Sequence, residues 1–321
     1  MRDEPSLRAR YYLPLVVDTS DFAVLSNTVR RAEELGYFGV GIGEHYSLPR
    51  EPNGRPDPFV ALSMLAAVTS RIKLGSMAAS TTIRHPVVLA NEALSLDVLS
   101  GRRAFLCLGV GSGTETEYSS HGFRYVTKAE RLDAFEEALA IINGLNKNRG
   151  GFSFRGKSFE LNGSTLNFSE EFPQIWVGER RSRRLLELAG RHADVINIHC
   201  KSPAQAQIKL EIARGAAASA GRSKEDVTAV LKHFVVMAGD VDSLADALER
   251  TQGMKEGESK GEFIERIRRA DPEAIIGTVD DVQGEYEKYT RAGFSEFSPI
   301  LLPNSVSRVS ELMETFAKRV G

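Results

Sequence analysis

Chemistry in this chain is concentrated where runs of small residues end in a histidine or an arginine. In Gly39-Val40-Gly41-Ile42-Gly43-Glu44-His45, strand alternation puts Gly39, Gly41, Gly43 and His45 on one face and Val40, Ile42 and Glu44 on the other. A glycine face turned inward would hollow the upper part of a closed sheet. His45 would project into that hollow, where an imidazole titrating near neutrality serves as general acid or base. Glu44 is placed to orient it or to serve a neighbouring loop. The alternative is a strand-end histidine with a purely structural role.

Three further stretches have the composition of a ligand site. Residues 71–86, RIKLGSMAASTTIRHP, run from an alternating strand into small and hydroxyl residues and then into His85-Pro86, a helix start. Small residues there let a flat ligand approach the backbone, as the floor of an active site requires. The bare amides of Gly111, Ser112, Gly113 and Thr114 suit a phosphate or a polar ring edge, although the G-x-G-x-G spacing is not a dinucleotide fingerprint and a simple turn fits equally. Gly178, Glu179, Arg180, Arg181 and Ser182 lead into an apolar helix and form a better phosphate site, with helix-start amides and arginines together. Asn197 and His199 share one face of a later strand and would line the same pocket. No HExxH, paired-cysteine set, Walker loop or GxSxG elbow occurs, so metal hydrolase, P-loop and hydrolase readings have no support.

The elements that must hold these residues alternate regularly. Apolar runs at 13–17, 37–42, 71–78, 104–110, 175–177, 195–198, 229–238 and 295–302 read as strands, each followed by a segment of helical periodicity. Eight strands alternating with helices over 321 residues, with no composition break, predict a single α/β domain, a (β/α)8 TIM barrel, over a doubly wound open sheet. In such a barrel the active site lies at the carboxyl ends of the strands, which is where His45 and the three stretches fall. Residues 150–170, with aromatic residues separated by glycine and asparagine, read as a hairpin insertion after the fourth helix. Residues 114–125 read as a polar loop, and 253–261 as a mobile surface loop. The net charge of −2 and the lack of a sustained basic stripe argue against a nucleic-acid partner. No apolar run is long enough to span a bilayer, and the two cysteines, each in an apolar run, read as reduced buried thiols of a cytoplasmic protein.

Four motifs, in order along the chain, resemble the bacterial-luciferase-like superfamily of flavin and deazaflavin oxidoreductases. They are AEELGYFGVGIGEHY, SRIKLGSMAASTTIRHPVVLANEALSLDVLSGRR, FLCLGVGSG and WVGERRSRRLLELAGRHADVINI. The resemblance implies a homodimer holding an isoalloxazine or deazaflavin ring at the barrel mouth and acting on a small-molecule substrate. Its nearest branch, the methylenetetrahydromethanopterin reductases, implies coenzyme F420 and a non-proline cis peptide at Met77-Ala78 behind the ring. Ser80 would then approach the ring, Gly111 to Thr114 its edge or ribityl chain, and Gly178 to Ser182 the phosphate. Glu44-His45 also resembles the Glu-His of FMN-dependent monooxygenases in the same superfamily, which is the alternative. Thr114 stands where some F420 dehydrogenases have a catalytic glutamate, with Glu115 and Glu117 nearby. The expected function is F420-dependent hydride transfer with His45 handling the proton. A barrel that binds a flavin-like ligand as carrier or sensor, without turnover, is the non-enzymatic alternative.

Overall fold

The computed structural model describes residues 9–15, 21–46, 56–111, 115–148, 150–166, 168, 171–249, 252–302 and 306–320. In chain order the elements are β1 (Arg10–Pro14), α1 (Phe22–Glu34), β2 (Gly39–Ile42), α2 (Pro58–Ala67), β3 (Lys73–Ser80), α3 (Pro86–Leu99), β4 (Ala104–Gly109), α4 (Glu115–Ser120) and α5 (Lys128–Lys147). They continue with β5 (Phe152–Arg155), β6 (Glu160–Ser164), β7 (Gln174–Glu179), α6 (Arg183–His192), β8 (Val195–His199), α7 (Pro203–Ser219), β9 (Thr228–Ala238) and α8 (Val241–Glu249). The last are α9 (Lys260–Ala270), β10 (Ile275–Thr278), α10 (Val279–Arg291), β11 (Glu296–Leu302) and α11 (Val306–Arg319).

Strands β1, β2, β3, β4, β7, β8, β9 and β11 pair in that order, all parallel, and the β11–β1 and β8–β9 pairings close the ring. This is the eight-stranded barrel the alternation predicts. Strands β5 and β6 form a separate antiparallel pair after α5, the expected hairpin insertion. Helices start where the sequence supplies caps: Asp57 accepts from Phe59 and Val60 N ahead of Pro58, and Thr127 and Glu130 form a reciprocal capping box on α5.

Three local expectations differ from the structure. Ile275–Thr278 is a short extra strand, β10, paired with the end of β9 beyond the point where β8 stops. The polar segment after residue 114 contains helix α4, whose burial of Tyr118 gives it an apolar anchor. The segment 253–261 is shorter as a loop than expected, because Ser259 caps α9 and Arg266 binds both Glu258 and the Gly253 carbonyl. Among the described residues, no helix is long and apolar enough to cross a membrane.

The core has two layers. Outward-facing strand residues such as Val40, Leu74, Leu106, Val177, Ile196 and Leu231 pack under the helices. Inward-facing Tyr12, Met77, Phe105, Cys107, Trp176, Val195 and Val230 plug the lower barrel. Trp176 stacks on Phe105 at 4.4 Å between centroids and meets the edge of Tyr12 at 4.7 Å. Gly39 and Gly41 do face inward, but they do not hollow the barrel. A Cβ on Gly39 would lie 2.6 Å from the Tyr12 ring, and one on Gly41 2.6 Å from Met77 Cβ, so the glycines make room for those two side chains. The open volume lies above that plug.

Candidate active site

Above the aromatic plug the inward positions become small or polar: Ala78, Gly109, Gly178, Asn197 and Lys232. The result is a cleft of about 500 Å³ at the carboxyl ends of the strands, a size suited to a cofactor or small ligand. Its floor is the end of β3, where the Met77–Ala78 peptide is cis and the pairing with β4 shifts between Ser76 and Ala79. Cβ atoms on Gly109 and Gly178 would stand 3.3 and 4.0 Å from Ala78 Cβ, so these two strands leave bare backbone facing the cis segment. A planar ring fits such a surface.

Glu44 holds this floor in place. Its carboxylate accepts from Ser80 N at 2.7 Å and from Arg84 Nε at 2.5 Å, and its own N–H donates to the Ala78 carbonyl at 3.1 Å. Arg84 also binds Asp57, the cap of α2, and Glu92 on α3. One guanidinium therefore gathers three carboxylates behind the cleft. Glu44 thus serves the neighbouring loop and does not orient His45.

That network carries a pH signature. Burial, together with the Asp57 and Glu44 charges, pushes the Glu92 carboxyl up to about 6 against the pull of Arg84. The folded protein therefore keeps this proton to a higher pH than the unfolded chain, and stability falls as pH rises from the ordinary glutamate value towards about 6. Denaturant titrations across that window should show a decline worth at most about 2 kcal/mol from this group, and Glu92→Gln should remove it.

His45 lies at the rim, where its Nδ1 is 3.3 Å from Glu117 Oε1 on α4. The same oxygen accepts from Tyr46 N at 3.0 Å, so a buried carboxylate fixes both the imidazole and the backbone beside it. With Nδ1–H donated to Glu117, Nε2 is the ring nitrogen left for a substrate. Next to this pair runs a chain of hydroxyls: Ser80 Oγ and Thr82 Oγ1 are 2.8 Å apart, and Thr82 Oγ1 and Tyr118 OH 3.2 Å. Gly111, at φ +75°, passes close by, and a Cβ there would strike Thr82 and Tyr118 at 2.2 Å. Ser112, Gly113 and Thr114 lie outside the described residues.

The turn expected to hold a phosphate is partly self-satisfied. Glu179 is buried, accepts from Ser182 N at 2.6 Å and binds Lys209 Nζ at 2.7 Å, so its carboxylate occupies one of the helix-start amides. Ser182 caps α6 through Leu185 N, and Arg181 binds Glu273 at 3.2 Å. Arg180 also leans towards Glu273, at 3.5 Å, but still lines the cleft. Gly178 and Arg180 are therefore the members of this set presented to a ligand.

Asn197 and His199 do face the cleft, and Asn197 Nδ2 and His199 Nδ1 are buried without a hydrogen-bond partner among the described residues. Burial and the nearby cations Lys232 and Arg180 push the His199 imidazole down to about 3, which keeps it neutral. Lys232 was not singled out by the sequence reasoning. Its one signal is a lysine in the middle of the otherwise apolar run TAVLKHFVVMA. Among the described residues, no group of three or more metal-ligating side chains comes together.

A planar ring-bearing cofactor fits this site: the Ala78 floor, the bare glycines and the two polar atoms without partners among the described residues supply a plane, clearance and hydrogen-bonding edges. A phthiodiolone/phenolphthiodiolone dimycocerosates ketoreductase of Mycobacterium tuberculosis is 32% identical over 60% of this chain and 51% of its own length. A 5,10-methylenetetrahydromethanopterin reductase of Methanolobus tindarius is 27% identical over 63% of this chain and 58% of its own length. The chain thus spans about half the length of the curated relatives it matches. A solved coenzyme F420 dependent tetrahydromethanopterin reductase of Methanopyrus kandleri superposes with a TM-score of 0.72 over 98% of both chains at 19% identity, which shows the shared fold. The family model described as luciferase-like monooxygenase matches residues 13–296, most of the chain, and the protein belongs to that family.

Proposed function

We propose that the protein is an oxidoreductase that uses coenzyme F420 to move a hydride to or from a carbon of a small organic substrate. The observation that carries this reading is the small-residue floor at Ala78, faced by bare Gly109 and Gly178 and overlooked by the His45–Glu117 pair. Both relatives above are named as reductases, which supports hydride transfer over oxygen insertion. When bound, the deazaflavin supplies the hydride-accepting and hydride-donating carbon.

The chain's own residues do the rest. Met77 and Ala78 back the ring, Gly109 and Gly178 admit it, and Ser80 is held beneath it by Glu44. Gly111 takes its edge or side chain, and Arg180 beside Gly178 attracts its phosphate. His45 Nε2 takes up or returns the substrate proton, with Glu117 fixing Nδ1 and compensating charge on the imidazole. The buried free thiols Cys107 and Cys200 suit a reducing compartment such as the cytoplasm.

The family description and Glu44-His45 support a second reading, a monooxygenase using reduced FMN and oxygen. Substrate screens read out by F420 absorbance, run beside oxygen uptake with supplied reduced FMN, separate the two. F420 turnover without oxygen uptake supports the first; FMN-dependent oxygen uptake overturns it. Tight binding with neither supports the carrier.

The chain is further expected to act as a homodimer. Helix α2 is apolar apart from Ser63, and Val60 and Met64 on it, with Val88 on neighbouring α3, remain exposed. Met64→Arg should shift the protein from dimer to monomer in sedimentation or light scattering.

A further inference from the structure

Beneath His45 and Ser80, the deep part of the cleft carries a cation without a counter-charge. In β9 the side chains of Leu231, His233 and Val235 turn outward to the helical shell, while Val230, Lys232 and Phe234 turn inward. The strand neighbours of Lys232 are His199 on β8 and Ser298 on β11. Among the described residues, the charged and titratable groups facing it are Cys107 on β4, Arg180 after β7 and His199. None supplies a negative charge: burial pushes the Cys107 thiol up to about 12, Arg180 is a like charge, and His199 is neutral. The nearest acid along β7, Glu179, is turned away to Lys209 and Ser182 N.

Burial and Arg180 together hold the Lys232 pKa below the ordinary lysine value. Beside it, Asn197 is 2% exposed and its Nδ2 has no acceptor among the described residues. Lys232 is only partly buried, yet no carboxylate among the described residues faces it, and a ligand that supplied acceptors would neutralise its ammonium and satisfy the buried Asn197 amide. The mechanism above uses neither group.

We propose that Lys232 and Asn197 form a receptor for an anionic group of the bound ligand, deep in the barrel. The proposal rests on the oxidoreductase reading only for the identity of that ligand. The anion has two sources of the same chemistry: the electron-rich ring of the reduced cofactor, or a carboxylate or phosphate on the substrate. A cation near the ring stabilises its reduced form, which is one of the few levers a protein has over a bound redox cofactor.

The test uses the full chain as wild type, Lys232→Met and Lys232→Arg. Melting of the ligand-free proteins comes first: Lys232→Met should melt at or above wild type, because it removes a partly buried charge that no described carboxylate faces. Oxidised and reduced F420 are then titrated against each protein, and acetate and inorganic phosphate against the cofactor-free forms. If the cofactor carries the anion, Lys232→Met weakens the reduced form about tenfold more than the oxidised form, equal to a midpoint potential about 30 mV more negative, and Lys232→Arg retains wild-type behaviour. If the substrate carries it, the two redox forms respond alike, while acetate or phosphate binding is lost in Lys232→Met and kept in Lys232→Arg. A lower melting temperature with every titration unchanged makes Lys232 structural and overturns the proposal. Should neither F420 nor FMN bind the wild type, the cofactor reading fails, yet the acetate and phosphate titrations still decide the role of Lys232.

Discussion

His45→Ala should lower turnover by about 10²-fold or more while leaving cofactor affinity nearly intact. The imidazole stands at the rim of the cleft, and among the described residues its side-chain partner is Glu117, so truncating it removes the proposed proton-transfer group without disturbing the Met77–Ala78 floor. Stopped-flow hydride transfer and fluorescence titration measure the two quantities separately. A loss confined to KM would mean that His45 only binds substrate, and unchanged kinetics would remove it from the mechanism. Glu117→Gln keeps an acceptor oxygen for Nδ1–H but removes the charge, so its loss should be smaller than that of His45→Ala.

Arg84→Leu should be the most destabilising single change near the site, by about 3–5 kcal/mol, because it leaves a buried carboxylate without its cation. Glu44 is the most exposed to this loss: its side chain is 2% accessible and it also holds Ser80 N. Asp57 and Glu92 would remain close by, three like charges around an apolar side chain. Their carboxyl pKa values should rise in the folded state, and a group with a raised folded pKa favours folding at low pH and loses that contribution as pH rises. Denaturant titrations should therefore show the Arg84→Leu deficit shrinking at mildly acidic pH. The same variant should weaken cofactor binding, since the Glu44 contacts that pin Ser80 and Ala78 depend on Arg84.

The barrel was legible because each of its strands is an apolar run closed by small or polar residues, and strict alternation with helices leaves few other ways to bury them. The four-residue β10 escaped because IIGT has no period of its own and pairs only with the overhang of β9. Helix α4 escaped because ETEYSS is polar apart from the Tyr118 anchor. Within the site, the glycine face of β2 was read with the correct direction and the wrong consequence. Alternation says that Gly39 and Gly41 point inward, but not that Tyr12 and Met77 come from neighbouring strands to fill the space. The partnership of Glu44 with Arg84, and of His45 with Glu117, joins residues far apart in sequence, which no local pattern encodes. Lys232 was hidden for the opposite reason: a single charge in a strand reads as facing solvent unless the pairing order places that face inside a barrel.

We propose that the cleft holds a deazaflavin against the Met77–Ala78 floor. The most direct test is a parallel titration of the purified protein with F420 and with FMN, followed by fluorescence at low micromolar protein. Saturable binding of F420, tighter than that of FMN and weakened by the bulk of Gly109→Leu opposite Ala78, is the predicted result. Preferential binding of FMN, or F420 binding indifferent to Gly109→Leu, would contradict it.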